Sequence, residues 1–425
     1  GTKRKASTVA ASPEPPAYVR IKAELPTTKN NHGNIHVKHE TLASIPVKTE
    51  EEGDASGGAL QWHRLCSPQE LSCKLTLASG QVFSWQYHAH ACEWSGVVGN
   101  YVFALRENNQ IVEYRCLHPL QLPPQEAHAI LTHYFRLDTE AAPLYQAWTT
   151  LDDPMAQLIR SLPGHRMIRQ DPVECLFSFI CSSNNNIQRI QQMVGKLRAT
   201  YGTHLCTVDA VSLMPISPDS KLSSSKEVAA ISYYSFPSPE TLTTKCEEAT
   251  LRTLGFGYRA PFITKSSQQL VALGGIEYLH QIRDWKPQKS ADVNAIDEMD
   301  EYQAKLMVFA GVGRKVADCI ALFALERLDA IPVDTHVWQI ACREFDPSLV
   351  DKKSITPSVY KSVGDHFRRR FSPFAGWAHS VLFTGDLTAF QSHLPTDMQK
   401  KKKNVKTQVK KKVVGRIKAP GKKAR

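Results

Sequence analysis

Gly311-Val-Gly-Arg-Lys-Val-Ala-Asp-Cys319 and, further along, Pro332-Val-Asp-Thr-His336 decide how this chain is read. Residues 301–309 have helical periodicity and stop at Gly311, and Gly313 lets the chain turn where a side chain would clash. Residues 314–325 then resume a helix. Its first-turn N–H groups have no intrahelical acceptors, so together with the helix dipole they can hold a phosphate. A plain packing turn between two helices is the alternative. Lys315 falls in that first turn, where the dipole disfavours a cation, so its pKa is expected below the ordinary lysine value and its amine nearer to a free nucleophile. A lysine so placed can equally serve as a phosphate ligand. Asp334 stands near the start of a later helix. A carboxylate there stays ionised, can stabilise positive charge developing at a reacting carbon, and can orient or deprotonate Lys315; the plain reading is a helix cap. His336 lies in the first turn of the same helix, placed to donate to a phosphate or simply structural.

Working outward, residues 1–60 lack apolar periodicity and read as disordered. From 71 to 114 the period is two, and strands are expected over 71–77, 82–87, 99–105 and 110–116, with 119–124 as a linker. Beyond residue 126 the pattern turns helical, at 127–135, 138–148 and 152–162. Asp171-Pro-Val-Glu174 combines a capping Asp, an early Pro and a Glu three residues on, which marks a helix start. Residues 207–242 read as loop-rich with a helix near 225–235, residues 248–278 as helix alternating with Gly turns, and 284–294 as an irregular insertion. Helices follow at 299–309, 314–326, 334–343, 356–370 and 373–389. Strands followed by many helices give an α+β class.

The formal charge of +11 is unevenly spread. Residues 400–425 carry thirteen Lys or Arg and no acid, so +11 less 13 leaves −2 for the rest of the chain. The basic tail suits nuclear targeting and non-specific phosphate contact; any argument for the folded part must rest on local sites. The ten cysteines are scattered and form no Cys-x-x-Cys pair, so neither a disulfide framework nor a zinc ribbon is expected. None follows Cys342, so a C-terminal four-cysteine iron–sulfur loop is not expected. No apolar run reaches membrane-spanning length and residues 1–5 show no signal-peptide core, which points to a soluble intracellular protein without membrane partners.

Several stretches carry a family likeness beyond the hairpin. They are Gly80-Gln-Val-Phe-Ser-Trp85, the run from Arg169-Gln-Asp-Pro-Val-Glu174 through Ser183-Asn-Asn-Asn-Ile-Gln-Arg189, Leu254-Gly-Phe-Gly-Tyr-Arg-Ala260, and Ala375-Gly-Trp-Ala-His-Ser-Val-Leu-Phe383. From roughly 61 to 390 the chain resembles the 8-oxoguanine DNA glycosylase/AP lyase family of the helix–hairpin–helix superfamily. The resemblance implies an N-terminal antiparallel β-sheet domain (61–162, with flanking helices) packed on a mainly α-helical glycosylase domain (163–395, hairpin about 301–326), with a basic disordered tail from 396 to 425. It also implies a monomeric, bifunctional base-excision enzyme acting on damaged double-stranded DNA. Lys315 would attack C1′ and form a Schiff base that undergoes β-elimination, with Asp334 as the second catalytic residue. Residence would be nuclear, with a mitochondrial form left open. No cofactor or catalytic metal is implied, although the hairpin's backbone carbonyls suit a structural cation.

The same resemblance assigns the remaining site residues. An enzyme of this kind must extrude its target nucleotide from the duplex. Asn184 would fill the gap and Tyr258 wedge beside it. Arg189 and Arg259 would read the opposite cytosine, and Gly311, Gly313 and His336 would hold the backbone. In the damaged-base pocket, Gly80 would offer its carbonyl to the N7–H of 8-oxoguanine, a hydrogen guanine lacks. Phe383 and Cys319 would lie on opposite faces of the base. Each of these residues also has an ordinary structural reading as turn or core. Two departures stand out. His379 replaces the family's usual glutamine at the base's Watson–Crick edge, with different reach and tautomers; this leaves room for altered affinity or a shift toward formamidopyrimidine lesions. Phe309-Ala310 replaces the usual Leu-Pro before the hairpin glycines, from which a looser turn is expected. Within the superfamily, an iron–sulfur adenine-mispair or endonuclease-III-like enzyme lacks support from the cysteines, and an alkyl-base glycosylase does not account for Lys315. A non-catalytic DNA-binding module accounts for the hairpin but not for Lys315, Asp334 and the pocket set together.

Overall fold

The computed structural model describes residues 60–150, 154–216, 229–285, 298–352, 354–396 and 398–399. The N-terminal extension before Leu60, most of the basic tail and much of the two longer segments lie outside them. Five antiparallel strands form a sheet in the order β1-β5-β4-β3-β2: β1 His63–Cys66, β2 Trp85–His88, β3 Glu93–Val98, β4 Tyr101–Glu107 and β5 Val112–His118. One face of this sheet buries Phe103, Leu105 and Tyr114 against Leu131 and Phe135. A second, two-stranded sheet pairs β6 (His204–Asp209) with β7 (Ala230–Tyr234).

Two local expectations are corrected. Residues 71–77 do not form a strand; they contain helix α1, Cys73–Leu77, with Cys73, Leu75, Thr76 and Leu77 all buried. The alternation of Leu71, Cys73, Leu75 and Leu77 imitates a strand, but a single short helical turn with only Lys74 exposed buries the same residues. The Glu107 carboxylate accepts the Cys73 N–H at 2.7 Å, a long-range bond that no local pattern announces. The helix expected near 225–235 gives way to β7, whose ladder partner β6 is distant in sequence. Strands β1 and β3 were not anticipated, and residues 82–84 precede β2 without joining it.

The helices run α2 Pro124–Tyr134, α3 Ala141–Trp148, α4 Pro154–Arg160, α5 Pro172–Cys181, α6 Ile187–Tyr201, α7 Pro239–Lys245, α8 Glu248–Thr253, α9 Ala260–Ala272 and α10 Ile276–Asp284. They continue with α11 Glu298–Leu306, α12 Arg314–Ala324, α13 Thr335–Glu344, α14 Pro357–Phe371 and α15 Ala375–Asp386. No helix among the described residues is long and apolar enough to cross a membrane. Helix α5 starts as its sequence demands: the Asp171 side chain accepts the Glu174 N–H at 2.8 Å and Pro172 opens the helix. All its residues are buried, and Phe179 stacks on Phe323 of α12 at 5.4 Å between centroids. Thus α5 is the central post against which the hairpin's second helix packs.

The sheet region is fastened to the helices by buried polar contacts. Gln81 donates to the Arg166 carbonyl at 2.8 Å and accepts the Ile168 N–H at 3.1 Å, while Gln170 donates to the Gln81 carbonyl at 2.6 Å. The Gln170 N–H reaches the Phe323 carbonyl of α12 at 2.9 Å. His165 bridges the Leu75 carbonyl and the Ser380 hydroxyl of α15, both at 2.9 Å. Buried polar groups are costly unless paired, so these pairs fix where Gly80, next to Gln81, meets α12 and α15.

Candidate active site

The Gly-Val-Gly turn lies between α11 and α12. Gly311 has φ +82°, and a Cβ there would sit 2.7 Å from the Phe262 ring, so both backbone conformation and space require glycine. Gly313 has open space and an extended backbone, so the clash expected for a side chain there is not found; it serves as the N-cap of α12. The turn is not loose. The Ala310 N–H donates to Gln269 Oε1 at 2.9 Å, and its carbonyl accepts from Ser266 Oγ at 2.9 Å. Alanine supplies an N–H that proline lacks, and α9 uses it to brace the hairpin, which corrects the expectation drawn from the missing Leu-Pro.

Helix α12 brings Lys315 and Cys319 to one face, four residues apart. Asp334 caps α13, accepting the N–H groups of His336 and Val337 at 2.8 and 2.9 Å through one carboxylate oxygen. Lys315 and Asp334 line two spaces at once. One is a narrow pocket of about 50 Å³ walled by Gly80, Phe179, Cys319, His379 and Phe383 among others. The other is an open groove of about 790 Å³ bordered by Asn184, Gly311, Gly313 and His336. The amine and the carboxylate therefore stand at the mouth between a small aromatic pocket and a broad cleft.

The pocket's electrostatics differ from expectation in one respect. Burial acts to lower the Lys315 pKa, but Cys319 and then Asp334 act to raise it and prevail, so it lies above the ordinary lysine value. The dipole argument considered α12 alone and left out the groups that tertiary packing places opposite the amine. Lys315 thus rests as an ammonium and must lose its proton before it can act as a nucleophile. Burial pushes the Cys319 thiol up to about 11, so it is neutral near pH 7. Burial drives His379 down to about 4, with Asp334 opposing without reversing the effect. The neutral His379 ring stacks on Phe383, at 6.2 Å and 27°; neither ring nitrogen makes a well-formed hydrogen bond, and the Gly376 backbone one turn back is a weak polar neighbour. A buried, unsatisfied imidazole on a pocket wall is poised to meet a polar ligand. Gly80 has φ +85°, and a Cβ there would press on Ile187 at 2.9 Å.

Of the expected DNA-facing residues, Asn184, Gly311, Gly313 and His336 line the cleft; Tyr258 and Arg259 adjoin it through the Ser183–Asn184 turn, and Arg189 is not among its lining residues. Asn184 is exposed and held at φ +47°, a left-handed conformation that Asn tolerates better than most residues. Asn186 caps α6, and Arg189 projects from its first turn, exposed, with a long contact to the Gly255 carbonyl at 3.4 Å. Tyr258 is exposed and donates to the Ser183 carbonyl at 2.8 Å. Arg259 is buried; it donates to the Ser183 and Asn184 carbonyls and lies over the Tyr258 ring at 4.4 Å. It fastens the Asn184 turn rather than standing free. His336 Nδ1 meets Asp386 at 3.2 Å and its ring lies edge-on to Phe383.

Several pocket-lining residues, Phe179 and Phe323 among them, are not distinguished by the sequence. Phe179 places its ring 5.5 Å from Lys315 Nζ, within cation–π reach. It sits in the apolar run after Asp171, where nothing separates a pocket wall from core.

The comparisons with known proteins agree with this geometry. Residues 64–176 match the 8-oxoguanine DNA glycosylase N-terminal domain, and residues 177–356 match the HhH-GPD superfamily of base excision DNA repair proteins. The N-glycosylase/DNA lyase OGG1 of Arabidopsis thaliana is 35% identical over 347 residues, spanning 80% of this chain and 85% of its own. An apo 8-oxoguanine glycosylase/lyase from Clostridium acetobutylicum shares the fold at TM-score 0.56 and 23% identity, covering 76% of this chain and 95% of that one. So does a 3-methyladenine DNA-glycosylase from Archaeoglobus fulgidus, at TM-score 0.52 and 15% identity over 76% of this chain and 98% of that one. The fold alone therefore does not specify the lesion. The two domain matches and the 35% identity over most of both chains together assign the chain to the N-glycosylase/DNA lyase family, whose members are base-excision-repair DNA glycosylases with AP lyase activity of the HhH-GPD superfamily.

Proposed function

We propose that this enzyme removes 8-oxoguanine, and formamidopyrimidine lesions, opposite cytosine in double-stranded DNA. The observation that carries this reading is the position of Lys315 and Asp334 on the shared wall of an aromatic pocket and an open cleft. A flipped base enters the pocket by parting its side-chain walls, while its sugar stays at the amine. In the reaction Lys315 first loses its proton. Its Nζ then bonds to C1′ as the glycosidic bond breaks, and the base leaves with the electron pair and takes up a proton at N9. Asp334 stabilises the positive charge that develops at C1′. The sugar ring opens to a Schiff base, loss of a C2′ proton expels the 3′ phosphate oxygen, and water hydrolyses the imine.

Gly80 offers a carbonyl to N7–H of the oxidised base, Phe383 and Cys319 flank the ring, and neutral His379 offers one donor and one acceptor to its Watson–Crick edge. Arg189 reads the cytosine with its guanidinium fork. Arg259 joins it by exchanging backbone carbonyls for the base's O2 and N3. Asn184 and Tyr258 occupy the gap. Borohydride trapping on duplexes carrying 8-oxoguanine opposite cytosine tests this reading, with undamaged and alkylated-adenine duplexes and Lys315→Gln protein as controls. A damage-specific adduct lost in Lys315→Gln is expected, with DNA binding kept. An adduct formed by the variant, or trapping on alkylated adenine alone, refutes the assignment.

A further inference from the structure

Asp318 lies between Lys315 and Cys319 on α12 but faces away from the pocket, into the packing between α11, α12 and α14. It is fully buried. One carboxylate oxygen accepts from the Tyr302 hydroxyl at 2.6 Å and from Gln303 Nε2 at 2.8 Å, both on α11. The other accepts from the Tyr360 hydroxyl of α14. Tyr360 in turn accepts the Val333 N–H at 3.2 Å; the Ile331 carbonyl, at 3.3 Å, competes for its single hydrogen but is neutral and lies farther off than the charged Asp318 oxygen. Val333 immediately precedes Asp334. The Gln303 carbonyl oxygen accepts from Arg314 at 2.9 Å, so the same cluster also reaches the hairpin.

We propose that Asp318 and Tyr360 form a positioning relay that fixes the catalytic carboxylate relative to the lysine: Asp318 orients the Tyr360 hydroxyl, whose oxygen receives the Val333 N–H and sets the turn that presents Asp334. The physical reason is directional. A tyrosine hydroxyl has one hydrogen and two lone pairs. Committing the hydrogen to Asp318 turns lone-pair density toward Val333. The carboxylate sits one helical turn from Lys315 on the same rigid element, so the relay ties the helix bearing the amine to the loop bearing the acid. A link of this kind defends a geometry in which a misplacement of about 1 Å costs about a hundredfold in rate. Burial raises the Asp318 pKa to about 6 despite its donors and the nearby Arg368, as fits a polar group retained inside a core at a cost.

This inference rests on the role given to Asp334 above, so the experiment separates the two. Single-turnover base release from an 8-oxoguanine duplex is measured for wild type, Tyr360→Phe, Asp334→Asn and the double variant, together with duplex affinity and thermal stability. Asp334→Asn alone tests the carboxylate. Tyr360→Phe removes one oxygen and leaves the ring, and is expected to slow base release about tenfold or more with duplex affinity within about twofold. In the Asp334→Asn background Tyr360→Phe should have little further effect, because its action passes through the carboxylate. Asp318→Asn should slow release like Tyr360→Phe. Unchanged release by Tyr360→Phe overturns the relay, as does full additivity with Asp334→Asn. A parallel loss of duplex affinity also overturns it and assigns the cluster to the hairpin's grip. If Asp334→Asn itself is unimpaired, the catalytic reading fails instead.

Discussion

Asp334 does two jobs that one substitution separates. As N-cap it satisfies two first-turn N–H groups of α13, at 2.8 and 2.9 Å. As a charge it acts on the Lys315 ammonium, and in the proposed reaction it stabilises the carbon under attack. Asp334→Asn keeps an acceptor oxygen in the same place and removes the charge; Asp and Asn are about equally good caps, so stability should change by only a few tenths of a kcal/mol. Asp334→Ala removes both and should cost about 1 kcal/mol, a fall in Tm of about 1–2 °C for a chain of this size. The electrostatic loss is larger. A unit charge acting over about 4 Å at an effective dielectric of about 20 is worth about 4 kcal/mol, which corresponds to about a thousandfold in rate. Base release should therefore fall about a hundredfold to a thousandfold in both variants, while only the alanine protein melts early. Single-turnover release with excess enzyme, paired with thermal melts, checks both halves. A rate for Asp334→Asn within threefold of wild type would refute the electrostatic role. An asparagine variant that melts with the alanine variant would refute the capping argument.

Other outcomes follow from the same geometry. His379→Gln should keep base release and weaken the acid sensitivity of folding. The His379 pKa is depressed to about 4 in the fold. Its contribution to stability is thus present above the unfolded value of about 6.5 and lost as pH falls toward 4, a loss on the order of 2–3 kcal/mol. Urea melts at pH 7 and pH 4.5 measure it, and equal acid loss in both proteins would contradict the assignment; His165, also depressed to about 4, remains in each. Gly311→Ala should destabilise by about 1–3 kcal/mol and weaken duplex affinity, since the new methyl meets Phe262 from a left-handed backbone; normal melting would show that the hairpin relaxes freely. Gln269→Ala should loosen the hairpin by releasing the Ala310 N–H, costing about 1 kcal/mol with a weaker hold on duplex; unaltered melting and affinity would show that the brace contributes nothing.

The sequence by itself determined the hairpin, its glycines, the lysine and the carboxylate, because these depend on local backbone needs. A positive φ at Gly311 calls for glycine, and helix starts at Asp171 and Asp334 call for a capping oxygen. It also determined most helices after residue 126, where half-buried faces write a 3.6-residue period. It failed at α1 and β7, whose identities depend on partners far along the chain: the Glu107 carboxylate for one and strand β6 for the other. Tertiary structure alone decided the site's charge balance and its fine placement. The Lys315 pKa goes up, against its own helix dipole, because packing brings Cys319 and Asp334 to the amine. Phe179 becomes a pocket wall and Arg259 a buried fastener for the same reason. Asp318 and Tyr360 acquire a shared role only because α12 and α14 meet beside Val333. A side chain's chemistry is written in its type, but its partners, and therefore its energy, are set by which elements pack together.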